Sequence, residues 1–300
     1  MAKLTIPELW AMAEAGTPLS MITCYDFPSA RLIDAAGVDI VLVGDSVAMT
    51  VLGHPNTLPA TMDMMVIFAG AVARGCERAF VLGDMPYMSY QVSVPEAIRN
   101  AGRFMAEAGV DGVKLEGGRT MVGAVEAIVG AGIPVMGHLG LTPQSASAIG
   151  GYRVQGRSAA TALALLDDAL ALEDAGVFAI LLELVPARVA EVISQKVSVP
   201  TISIGSGSGC DGHCQIYHDA IGMFEAFTPR HAKRYAEVGA TLREALARFQ
   251  AEIKDGTYPG PEHAFRIGAE ELRAFLAGAA TRLGPGEIDE LSRSLEDPPR

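Results

Sequence analysis

The sequence predicts a parallel α/β barrel of the (β/α)8 type, and three observations carry that prediction. Short aliphatic runs alternate with helical stretches along the chain. Most runs end in a polar residue followed by a Gly/Pro-rich turn. The runs are also apolar throughout instead of alternating, as expected of strands buried on both faces. Eight such units between residues 20 and 219 fit a closed barrel. A doubly wound open sheet is the alternative, weakened because the usual dinucleotide fingerprint is missing after the first strand.

Taken in order, MAKLTIPELWAMAEAG reads as a short amphipathic helix. The strand runs are SMITCYD (20–26), DIVLVGDS (39–46), AFVLGD (79–84), DGVKLE (111–116), IPVMGH (133–138), FAILLE (178–183), PTISIG (200–205) and, more weakly, CQIYHD (214–219). Between them lie helical patterns such as SARLIDAAG, TMDMMVIFAGAVARG, VPEAIRNAGRFMAEAG and ATALALLDDALALEDAG, several closing in Ala-Gly, the expected glycine cap. Residues 229–254 form one long helical pattern of mixed charge, and TYPGPEHAF (257–265) stops it. The barrel domain is therefore placed at 1–265, and 266–300 is expected to be a helical extension with a polar tail that packs on a neighbouring subunit or frays.

Half of the 300 residues are apolar and 19% are charged, which excludes a disordered chain. No apolar run reaches the ~18–20 residues of a membrane helix. The N-terminus lacks the basic and apolar regions of a signal peptide, so the expected location is cytoplasmic. A net charge of −12 argues against nucleic acid or an anionic membrane as partner. An anionic substrate must then be drawn in by a local site. Cys24 and Cys76 read as small buried residues. Cys210, His213 and Cys214 in CDGHC, with His218 nearby, leave zinc open beside a plain loop, although the spacing fits no common ligand pattern.

The chemistry is read at the strand ends, where barrels of this kind work. The second strand ends in Asp45-Ser46, the third in Asp84, the fourth in Lys114-x-Glu116, the fifth in His138 and the sixth in Glu183. Any single carboxylate there could merely cap the next helix. Five coincidences on consecutive strands are harder to explain so, and clustered carboxylates repel unless a divalent cation neutralises them. Oxygen-only ligands suit Mg²⁺, with Asp45, Asp84 and Glu116 as the best trio. Lys114 and Glu116 share a face and point into the barrel. Lys114 either pairs with Asp84 or meets a substrate carboxylate, and the two are compatible. Glu183 closes an apolar run, so a raised pKa suits it to acid–base work, with support of a metal ligand as the other reading. His138 is either a substrate donor or a hydrogen-bonded core histidine. The glycine-rich IGSGSGCDG (204–212) serves either phosphate binding or close packing.

These residues resemble the ketopantoate hydroxymethyltransferase family. The resemblance runs from about Met21 to Phe265, through TCYD, LVGDS, GDMPY, VKLEGG, GHLGLTPQS, GGYRVQGR, LLELVP, DGHCQIYHDAIG and TYPGPEHAF. It implies a phosphoenolpyruvate/pyruvate-type (β/α)8 barrel, a homodecamer, one Mg²⁺ per subunit and 5,10-methylenetetrahydrofolate as one-carbon donor to 3-methyl-2-oxobutanoate. It further implies metal binding by Asp45, Asp84 and Glu116, ketoacid contacts from Asp45, Ser46, Asp84 and Lys114, and Glu183 as proton acceptor in forming a metal-held enolate. The chain departs from the family at Gly83, where alanine is common, at Ser206, also alanine, and at His213, usually glutamine. These departures put folate affinity or kinetics in question, not the metal positions. The rival readings are another Mg-dependent 2-oxo acid lyase or mutase barrel, and a non-catalytic paralogue.

Overall fold

A computed structural model describes residues 2–224 and 229–282. The chain divides into two compact units, Met1–Glu237 and Val238–Arg300, a division earlier in the chain than residue 265, to which the sequence reading carries the barrel domain. The first unit is a closed barrel of eight parallel strands in the order of the sequence. They are β1 Leu19–Thr23, β2 Ile40–Val43, β3 Phe80–Asp84, β4 Gly112–Glu116, β5 Val135–Gly140, β6 Ala179–Glu183, β7 Thr201–Ile204 and β8 Gly212–Gln215. β8 returns to pair with β1, Ser20 opposite His213.

Alternation along each strand splits the apolar residues into two cores. Leu19, Met21, Ile40, Leu42, Phe80, Leu82, Met136, Leu181, Ile202 and Cys214 point inward and fill the barrel. Val41, Val43, Val81, Val113, Leu115, Ile180 and Leu182 point outward beneath the helices. Burying one such side chain stabilises the fold by about 1.5–3 kcal/mol, so a one-residue slip of any strand would exchange two cores at once. The N-terminal helix, Ile6–Glu14, closes the lower end. Its Leu9 joins the interior core, and Trp10 Nε1 donates to the carbonyl of Phe178 at 2.8 Å.

Several helices start on the caps their sequences supply. Asp26 accepts from Ser29 N at the start of Phe27–Ala35, Thr61 from Met64 N at Met62–Gly75, and Ser158 from Thr161 N at Ala159–Asp174. The helix Val94–Arg103 runs on into a wider turn of π type at Phe104–Ala108, which drops the Phe104 ring against the outer face of β3.

Two elements differ from the sequence reading. The eighth strand lies at Gly212–Gln215 instead of 214–219, and Tyr217–Ala220 is already a helical turn. The long helix begins at Val238 instead of 229. The amides of residues 229–237 are partly used elsewhere: Lys233 N donates to Gln215 Oε1 at 2.8 Å and Tyr235 N to the Ala220 carbonyl at 2.7 Å. In the second unit Val238–Asp255 is followed by the helix Ala269–Ala280, the expected extension. The expected polar tail, 283–300, lies outside the described residues.

Candidate active site

Strand register assembles the site. Asp84 on β3 stands opposite Lys114 on β4, Glu116 opposite His138 on β5, and Gly140 opposite Glu183 on β6. All are on the inward parity, one layer above the apolar core, so the barrel changes from hydrocarbon to charge within one residue pair.

The side chains form a line across the mouth. Lys114 Nζ is 2.7 Å from Asp84 Oδ1 and 3.2 Å from His138 Nδ1. His138 Nε2 in turn lies 3.3 Å from Glu183 Oε2, too poorly aligned for a hydrogen bond. Burial, and then the Lys114 charge, hold the imidazole well below its usual pKa, so it is neutral. An ammonium has only protons to offer, so Nδ1 accepts and the ring proton belongs on Nε2, facing the Glu183 carboxylate. Burial works against the Lys114 charge, but Asp84, Glu116 and Asp45 outweigh it and raise its pKa.

Neither Asp45 nor Asp84 is a helix cap. Asp45 follows β2 and accepts at Oδ2 from Gln144 Nε2 at 3.0 Å, while its backbone N–H donates to Asp84 Oδ2 at 3.0 Å. Burial, then the neighbouring Asp84, push Asp45 up to about 7. Burial, then Asp45, raise Glu116 well above the usual carboxylate range. Glu116 Oε2 accepts from Gln144 N at 3.0 Å, but Oε1 is buried with no hydrogen-bond partner. Burial lifts Glu183 to about 7. Ser46 is half-buried, its hydroxyl 2.7 Å from Tyr25 OH.

This donor set fits a hard divalent cation. It is all oxygen, it is crowded with negative charge, and one carboxylate oxygen is left over. Among the described residues no three His, Cys, Asp or Glu side chains already form a protein-only cage. Mg²⁺, for one, takes one or two carboxylates and completes its shell with water and substrate. Asp45, Asp84 and Glu116 are the residues that could hold it. The open zinc reading fails on geometry: along β8 His213 faces solvent while Cys214 faces the interior, so they cannot converge.

Two polar residues escaped the sequence reading although both lie in or beside its motifs. Gln144, buried in the turn after β5, ties Asp45, Glu116 and the Met85 carbonyl together. Tyr90 OH donates to Gln144 Oε1 at 2.9 Å and accepts from Glu116 N at 3.1 Å. Being neutral, neither stands out among strand-end charges. The departures from the family also find places. Gly83 has the Phe104 ring where a side chain would go, with Cδ1 only 2.3 Å from an ideal Cβ. His213 points outward, away from the mouth. Ser206 is fully buried and bonds only to backbone and Ser203.

Among solved structures, phosphonopyruvate hydrolase superposes with a TM-score of 0.59 at 14% identity, covering 94% of this chain and 97% of that one. For 2,3-dimethylmalate lyase, a PEP mutase/isocitrate lyase superfamily member, the TM-score is 0.55 at 17% identity, covering 92% and 98%. At such identities the likeness shows the shared barrel fold alone. The sequence relatives are far nearer. The 3-methyl-2-oxobutanoate hydroxymethyltransferase of Syntrophobacter fumaroxidans (strain DSM 10017 / MPOB) is 50% identical over 91% of this chain and 95% of its own length. The protein of the same name from Moorella thermoacetica (strain ATCC 39073 / JCM 9320) is 51% identical over 88% and 98%. The family model described as ketopantoate hydroxymethyltransferase matches residues 3–261, and the chain belongs to that family.

Proposed function

We propose that this chain is an enzyme that transfers a hydroxymethyl group from 5,10-methylenetetrahydrofolate to 3-methyl-2-oxobutanoate, giving 2-dehydropantoate and tetrahydrofolate in pantothenate biosynthesis. The observation that carries the reading is the separation of two kinds of carboxylate in one barrel mouth. Asp45, Asp84 and Glu116 crowd together on adjoining strands, while Glu183 stands apart across His138, buried and within the field of Lys114 and His231.

The first group would hold Mg²⁺, which when bound supplies a Lewis acid for the carboxylate and keto oxygens of the 2-oxo acid. Lys114 and the Ser46 hydroxyl orient that acid and balance its charge. Glu183, kept near neutral pKa by burial, takes the C3 proton. His138 stands beside the same carboxylate, its Nε2 3.3 Å from Glu183 Oε2. The carbon so activated attacks the folate methylene, and water then supplies the hydroxyl as the C–N bond to that carbon breaks and tetrahydrofolate leaves. We read the enzyme as a cytoplasmic homodecamer, with a single barrel domain to residue 265.

The test is turnover of 3-methyl-2-oxobutanoate with 5,10-methylenetetrahydrofolate, with Mg²⁺ and with excess EDTA. Metal-dependent formation of 2-dehydropantoate is the expected result. Cleavage or rearrangement of the 2-oxo acid without folate would instead support a lyase or mutase, and binding with no turnover a non-catalytic paralogue.

A further inference from the structure

The segment that carries Glu183 is strained and pinned. Leu184, the next residue, has φ of +45°, a left-handed conformation that costs a side-chain-bearing residue stability and persists only where its surroundings enforce it. The backbone groups around it are all engaged. Glu183 O accepts from Leu141 N at 2.8 Å, Leu184 N donates to Ile204 O at 2.9 Å, and Leu184 O accepts from Gln155 N at 3.0 Å. The room for this turn comes from Gly140, where a Cβ would lie 2.1 Å from the Glu183 carbonyl oxygen.

The two groups that flank the turn, the Leu182 carbonyl and the Val185 amide, share one partner. Ser206 Oγ donates to Leu182 O at 2.8 Å and accepts from Val185 N at 2.9 Å. Ser206 is fully buried, and its own amide donates to Ser203 Oγ at 3.1 Å. One hydroxyl on the β7 loop thus closes a bridge across the residues on either side of Glu183. It is directed at backbone, so a direct role on the folate does not account for it.

We propose that Ser206 is a positioning residue for Glu183, holding the left-handed turn at Leu184 so that the carboxylate stays against His138 Nε2 and over the reacting carbon. This rests on the functional reading above, in which Glu183 is the base. Loss of the hydroxyl leaves the buried Val185 amide without its partner and cuts its tie to the Leu182 carbonyl, which favours relaxation of the turn. The effect falls on proton removal and spares ketoacid binding, because Lys114, Ser46 and the carboxylate cluster lie on other strands.

The experiment follows exchange of the C3 proton of 3-methyl-2-oxobutanoate into D₂O, with Mg²⁺ and no folate, alongside the ketoacid dissociation constant and amide hydrogen exchange at Val185. For Ser206→Ala the expected result is an exchange rate lower by roughly tenfold, unchanged ketoacid affinity and lost protection of the Val185 amide. Ser206→Thr, which keeps the hydroxyl, should recover most of the rate. An unchanged rate in Ser206→Ala, or a rate and an affinity that fall by the same factor, would overturn the assignment. If Ser206→Ala does not fold, Ser206→Cys serves: its weak hydrogen bonding should give the same selective loss, and a full rate would overturn the proposal. No C3 exchange in the unmodified enzyme would remove the functional reading itself. Exchange in the unmodified enzyme with an indifferent Ser206→Ala would remove only the role of Ser206.

Discussion

Lys114 and Asp84 form an ion pair of 2.7 Å with both side chains about 3% exposed, inside a barrel that is otherwise hydrocarbon below them. Because Asp45 and Glu116 crowd the same point, Lys114 is the cation for three carboxylates.

Lys114→Met keeps the aliphatic stem and removes that cation. Breaking a buried pair in this way costs about 3–5 kcal/mol, since the remaining charges have no compensation. The expected outcome is that loss in chemical denaturation at pH 8 in EDTA, with a smaller loss at pH 5, where the carboxylates take up protons.

Metal and pH are linked with a definite sign. The Asp45 carboxyl is raised to about 7 by burial and by Asp84, and Glu116 is raised well above its ordinary value. A folded-state pKa above the unfolded one means the folded protein binds more protons between the two values, so stability falls as pH rises across that window. Without metal, unfolding free energy should therefore decline from about pH 4 to 7. Mg²⁺ binds the anionic form, so it should raise the melting temperature at pH 8 and scarcely at pH 5. A metal-induced shift of the same size at both values would contradict the carboxylate site.

Glu183→Gln is isosteric and removes the proposed base. C3-proton exchange should fall by ~10²–10⁴ with the ketoacid still bound. In the unmodified enzyme the exchange rate should climb with pH and level off above about 7, where burial has placed the Glu183 pKa. Unchanged exchange in Glu183→Gln would assign the base elsewhere.

Gly83→Ala should destabilise this chain by about 1–3 kcal/mol, as overpacking does. The new methyl would meet the Phe104 ring at 2.3 Å. Thermal melts of Gly83→Ala with and without Phe104→Leu test this, the second change being expected to return much of the loss.

The barrel was legible because its strands and its chemistry obey the same alternation. The residues of VKLEGG show it: Lys114 and Glu116 share a parity that faces the interior, and Leu115 between them faces outward. The same rule separates His213 from Cys214 and so dismisses zinc. What could not be read depends on contacts distant in sequence. Gln144 joins Asp45 across 99 residues, and Ser206 reaches Leu182 across 24, with no periodicity to announce either. The start of the long helix was missed for a related reason, since Lys233 and Tyr235 spend their amides on the barrel end, a competition that local propensity does not record.

The N-terminal helix gives the barrel a floor: Leu9 is 1% exposed within the interior core, and Trp10 latches the helix to Phe178. A vessel closed below exchanges its contents only through its rim. Among the described charged residues on the inward-facing strand ends, Glu183 keeps the largest share of its side chain exposed, 16%. If Glu183 is the base proposed above, the proton it takes up would leave through the rim, past whatever arrives second. Isotope washed from the substrate before the second reactant lands would be lost to solvent, whereas afterwards it could return to C3 only until the new carbon–carbon bond forms.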